Sequence, residues 1–171
     1  MLASREPRKN HIGVLQAWKK LMRNRNDAWL VIAGGQGESG NFRAVNADQN
    51  ASNVIYTNYV PGEHLPALYT GASGFVFPSL YEGFGLTVLE ALACGTPVIT
   101  SKTTSLLELQ GGRMFMVDPR STEEIANAIT ELLDDPLPRD VVSKCCESYA
   151  RQFSWDKTAA QTEQVLLRYS S

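Results

Sequence analysis

Long apolar runs are missing from this 171-residue sequence. The most apolar stretches, such as residues 29–33 (WLVIA) and 74–77 (GFVF), fall well short of the ~18 residues that a membrane-spanning helix needs. A water-soluble domain is expected. An excess of one charge is missing too: 16 basic residues face 18 acidic ones, for a net charge of −2 and a pI near 5.7. Without a basic run there is no electrostatic footprint for nucleic acid. Cysteine is scarce, with Cys94, Cys145 and Cys146 alone. Adjacent cysteines do not reach disulfide geometry, and neither His11 nor His64 stands at metal-ligand spacing from any of the three. No metal is expected, and a reducing cytoplasm fits best. A signal peptide is not evident either, because residues 1–4 pass straight into the charged residues 5–9 without an apolar core. There is no internal repeat, low-complexity tract or long linker, so the whole span 1–171 reads as one domain.

Short apolar runs alternate with segments of helical period, the pattern of successive βα units on a parallel sheet. Strands are predicted at 1–4, 29–33, 53–57, 74–77, 97–100 and 114–117. Ile12, Leu15, Trp18, Leu21 and Met22 predict a helix over 11–22. Further helices are predicted over 42–50, 62–72 and 86–94, with Gly95 suited to the C′ position. A helical turn is expected at 104–109. Ser121 or Thr122 would cap a helix over 123–133, with Glu123 and Glu124 favourably placed in its first turn. The tail, 138–169, is helical in period with a break near Phe153 and Ser154. The expected architecture is a three-layer, Rossmann-like α/β domain with a mostly parallel sheet.

The segment YEGFGLTVLE, residues 81–90, concentrates the chemistry. Gly83 and Gly85 allow a ligand close to the backbone. The helix that opens behind them at Leu86 and Thr87 offers free N–H groups and a favourable dipole to phosphate oxygens. Glu82 and Glu90 on either side can accept hydrogen bonds from sugar hydroxyls. Glu90 sits in an otherwise apolar helix, where an unpaired buried charge would be costly; the blander reading makes it a surface charge serving the helix dipole. Glu82 follows a strand, where open α/β sheets bind ligands; its blander reading is a solvated loop carboxylate. The glycine cluster at 34–37 lies at another strand end but lacks the G-x-G-x-x-G dinucleotide fingerprint. Arg5, Arg8 and Lys9 form the densest basic cluster, able to meet a diphosphate or simply to face water.

These features resemble the group 1 (family 4) retaining GT-B glycosyltransferases, specifically their C-terminal donor-binding domain. The resemblance rests on EPRKN (6–10), LVIAGG (30–35), the run LYTGASGFVFPSLYEGFGLTVLEALACGTPVITS (68–101), VDP (117–119) and FSW (153–155), in that order. The family's E-x7-E pair falls on Glu82 and Glu90. The resemblance implies that Glu82, Gly83 and the backbone of Phe84 and Gly85 hold the donor sugar, and that the amides of Leu86 and Thr87 hold the diphosphate. Glu90 would bind the ribose and Lys9 the phosphates, with Glu82 and Lys9 nearest the reacting centre. Tyr59 and Val60 match the place where the base packs, and Gly35 the glycine loop beneath the donor. Many members have an arginine five residues before the lysine; here that position is Ser4, which leaves Arg5 or Arg8 as the substitute.

The family also has an N-terminal acceptor-binding domain that this sequence does not contain. The resemblance therefore implies a donor-binding half, weakly active by itself, of an enzyme that transfers a sugar from a nucleotide sugar to a hydroxyl acceptor with retention. Polysaccharide or glycoconjugate synthesis would be its setting. No cofactor or metal is implied, and any membrane association would come through the missing half. A sugar-nucleotide epimerase of the same architecture and a non-catalytic nucleotide-sugar binding module are the alternatives.

Overall fold

The computed structural model describes residues 1–2, 6–34 and 53–169. Among these residues, five short strands carry the core: β1 (Leu30–Ala33), β2 (Val54–Asn58), β3 (Phe75–Phe77), β4 (Val98–Ser101) and β5 (Met114–Val117). Every pairing among them is parallel, in the order β1-β2 and β3-β4-β5. Parallel strands are covered on both faces, which is why β3 and β4 are continuously apolar or small and wholly buried.

Alternation along each strand sorts the side chains into two cores. Leu30, Ile32, Val76, Ile99 and Val117 face one cluster. It is completed by Val14, Leu15 and Trp18 of α1 (His11–Leu21) and by Ile125 and Ile129 of α4 (Thr122–Leu133). Phe75, Phe77 and Val98 face the other. That core contains Tyr69 of α2 (Leu65–Gly71), Val88 and Leu92 of α3 (Leu86–Ala93), and Val142 and Cys146 of α5 (Arg139–Ala150). Helices thus cover both faces of parallel sheets, the three-layer arrangement expected.

Of the strand predicted at 1–4, residues 1 and 2 are among those described. Leu2 bridges Ala33 in parallel, the Ala33 N–H donates to Met1 O at 2.9 Å, and the Met1 amine donates to Val31 O at 2.8 Å. In α1 the buried stripe is His11, Val14, Leu15 and Trp18, whereas Ile12 is exposed. The 62–72 helix is divided into a 3-10 turn (Gly62–His64) and α2. Pro66, which has no N–H to give, is tolerated only in a first turn, so α2 starts beside it. Ser121 caps α4 by accepting from the Glu124 N–H at 3.1 Å. The tail breaks where expected, and Ser154 accepts from the Lys157 N–H at 3.2 Å ahead of α6 (Trp155–Tyr169). The helix predicted over 42–50 lies outside the described residues. None of the described helices is long and apolar enough to cross a membrane.

Candidate functional site

Residues 1–2 send the chain through α1 onto one face, and β3 sends it through α3 onto the other. Such a reversal opens a crevice at the strand carboxyl ends. Here the two exits are sewn together. The Leu80 N–H and the Ser79 hydroxyl both donate to Arg8 O, at 2.7 and 2.9 Å. Asn10 Nδ2 donates to Pro78 O at 3.1 Å and to Pro119 O at 2.6 Å. Asn10 does this from the left-handed region, at φ 55°, which asparagine visits more readily than most residues. Lys9 is thereby fixed beside the end of β3, its Nζ 5.7 Å from the centroid of the Phe77 ring. Among the described residues the Lys9 ammonium has no ion-pair partner.

Glu82 is held from four sides. Its Oε1 accepts from Ser79 Oγ and from Arg8 Nη1, each at 2.9 Å. Its backbone N–H reaches Thr104 Oγ1 at 3.4 Å, and its carbonyl accepts from Ser105 Oγ at 2.8 Å. The side chain is only 13% exposed, so it is not the solvated loop carboxylate of the blander reading. Arg8 also donates from Nε to Glu6 at 2.6 Å. Desolvation is the largest single influence on that guanidinium and lowers its pKa, but Glu82 and Glu6 together outweigh it and hold the pKa above the usual value. The expectation that Arg8 is a diphosphate contact meets a guanidinium already engaged by two carboxylates.

Ser79, Thr104 and Ser105 were not singled out from the sequence. Their signal was available in their position, just past the carboxyl ends of β3 and β4. Thr104 has φ 50°, an outlying conformation for a β-branched residue.

The turn before α3 is open. A Cβ on Gly83 would meet nothing within 4 Å. Gly85 has φ 101°, and a Cβ there would lie 2.6 Å from Leu106 Cδ2. Only glycine fits both demands. No side chain caps α3, and its ladder begins with the Val88 N–H donating to Gly85 O at 2.9 Å. The N–H groups of Leu86 and Thr87 therefore precede the ladder. Phe84 and Leu86 beside them are each 48% exposed.

Glu90 departs from expectation in one respect. The apolar helix suggested a buried charge, but Glu90 is exposed and lies in the second turn. Helical spacing explains this: Leu86, Glu90 and Ala93 form the outward stripe, while Val88, Ala91 and Leu92 turn inward. Its partner is the Tyr69 hydroxyl, which donates to Oε2 at 3.2 Å. Burial, and then the charge of Glu90, push the Tyr69 phenol far above its ordinary pKa, so it remains a donor.

Tyr59 and Val60 directly follow β2, with Tyr59 76% exposed and Val60 half-buried. Gly35 lies outside the described residues; its neighbour Gly34 ends β1 with φ 141°. A cavity of about 640 Å³ lies elsewhere, beside the residues that precede β1 and β3. Trp18, Leu30, Phe75 and Leu132 line it, and neither acid of the pair does.

Residues 1–152 match the family described as "Glycosyl transferases group 1". The chain is 38% identical over 164 residues to the O-antigen chain mannosyltransferase B of Escherichia coli, a match covering 94% of this chain and 43% of that protein. It is 34% identical over 144 residues to a D-inositol 3-phosphate glycosyltransferase of Salinispora tropica, covering 78% and 29%. Among solved structures, Anabaena HepE in complex with UDP and glucose superimposes with a TM-score of 0.81 at 19% identity, over 96% of this chain and 46% of that one. The chain thus spans less than half the length of the relatives it matches. It belongs to the group 1 glycosyl transferases.

Proposed function

We propose that this chain is the donor-binding half of a glycosyltransferase that moves a sugar from a nucleoside-diphosphate sugar to a hydroxyl acceptor, with retention, in polysaccharide or glycoconjugate synthesis. The observation that carries this reading is the meeting of Lys9, Glu82 and an uncapped helix start at one topological switch point. An ammonium and helix amides suit a diphosphate, and an adjacent fixed carboxylate suits hydroxyls. The names of relatives that share this sequence, a mannosyltransferase and an inositol phosphate glycosyltransferase, support the same chemistry.

In this reading the leaving diphosphate gains negative charge as the glycosidic bond breaks. Lys9 and the Leu86 and Thr87 amides stabilise that charge because they are already in place. Glu82, Gly83, Phe84 and Gly85 hold the sugar hydroxyls. Glu90 binds the ribose, and Tyr59 and Val60 flank the base. No metal or cofactor takes part. A second, N-terminal domain supplies the acceptor site and closes the cleft, and excluding water strengthens each contact. Any membrane association comes through that domain. The protein works in the cytoplasm, in keeping with three free cysteines among the described residues.

Calorimetry of the chain against UDP, GDP and ADP and their glucose and mannose conjugates tests this. Lys9→Ala is expected to weaken nucleoside diphosphates more than tenfold, about 1.4 kcal/mol, while leaving nucleoside binding unchanged. Glu90→Ala should cost a similar factor for nucleoside and nucleotide alike. Wild-type affinity in both variants would refute the site.

A further inference from the structure

Arg8 is left without a role in the scheme above, yet it is held at both edges. Its Nε donates to Glu6 Oε2 at 2.6 Å and its Nη1 to Glu82 Oε1 at 2.9 Å. The Arg8 and Glu6 side chains are 43% and 44% exposed, and ion pairs that open to water add little to stability. A stabilising role is therefore a weak account of the contact. The distribution of bonds on Glu82 is more telling. Arg8 and Ser79 both fall on Oε1. Among the described residues, Oε2 receives nothing.

We propose that Arg8 is a positioning residue for Glu82: together with Ser79 it holds the carboxylate by Oε1, so that Oε2 is kept available as the acceptor for a hydroxyl of the donor sugar. Glu6 occupies the other edge of the guanidinium and fixes its plane. The planar fork of arginine suits this task, because it reaches two carboxylates at set angles, which a lysine ammonium does not. The trio Glu6, Arg8 and Glu82 carries one net negative charge, so it offers a ligand an acceptor and would repel a diphosphate. Phosphate binding is left to Lys9 and the α3 amides. The proposal rests on the reading of Glu82 as a sugar contact.

The test compares two affinities for each variant of this chain, measured by calorimetry: that for UDP, GDP or ADP alone, and that for the glucose or mannose conjugate the wild type prefers. Their ratio isolates the sugar. Arg8→Gln is expected to lower the ratio at least fivefold while diphosphate affinity stays within twofold. Arg8→Lys should recover part of the loss. In a Glu82→Gln background, Arg8→Gln should cause no further loss, because the group it positions is already gone. Equal weakening of diphosphate and conjugate by Arg8→Gln would make Arg8 a phosphate contact and overturn the proposal. So would an unchanged ratio in Arg8→Gln alongside a lowered one in Glu82→Gln. An unchanged ratio in Glu82→Gln, or no sugar preference in the wild type, would instead overturn the reading of Glu82, and the clamp with it. If near-UV circular dichroism finds Arg8→Gln unfolded, Arg8→Lys and Ser79→Ala serve in its place, and a wild-type ratio in both is the overturning result.

Discussion

Asn10 and Gly85 hold backbone shapes that few residues could replace. Asn10→Ala removes two hydrogen bonds to carbonyls on separate loops and leaves a left-handed residue without its compensating amide. A loss of roughly 2–3 kcal/mol follows from bonds worth about 1 kcal/mol each plus the backbone penalty. Chemical denaturation of variant and wild type measures it. Gly85→Ala combines a strained φ with a 2.6 Å approach to Leu106, and a loss of about 1–3 kcal/mol is expected. It should also weaken diphosphates, because the amides of α3 would shift; unchanged nucleotide affinity would separate the turn from the site. Glycine at 83 and 85 was legible from the sequence because a close turn has few other solutions. The partners of Glu82 were not, since hydroxyls such as Ser79 and Ser105 occur in most loops and acquire meaning only by proximity.

At the level of elements, periodicity placed β1 to β5 and α3 to α5 within a residue or two. Paired strands leave a strong signature when both faces are buried. The single error of facing among the site helices, at Glu90, came from judging a helix by its overall composition instead of by the stripe on which the residue falls. The last helix, α6, departs from the others in having no buried residue. A helix of 15 residues that buries none of them is near the limit of stability in water. Its amides should exchange with deuterium far faster than those of α3 or α4, as mass spectrometry can follow. Removing residues 154–171 should move the melting temperature of this chain by less than about 2 °C, because the edge-to-face contact of Phe153 with Tyr149, 5.4 Å between centroids, is retained. A larger shift would mean that α6 contributes to the core after all.

The whole molecule is held together by hydrogen bonds between positions far apart in the chain. The three-layer fold was legible from the alternation of βα units, whereas the seam between its loops was not, because no local pattern encodes a bond from Asn10 to a carbonyl 109 positions away. That long reach gives the seam thermodynamic weight: residues 68, 74 and 109 positions apart must be brought together before any ligand finds its contacts. A bound nucleotide would therefore act as a removable crosslink between distant parts of the chain, raising the melting temperature with the logarithm of its concentration, and no fragment ending before β5 could be rescued by it.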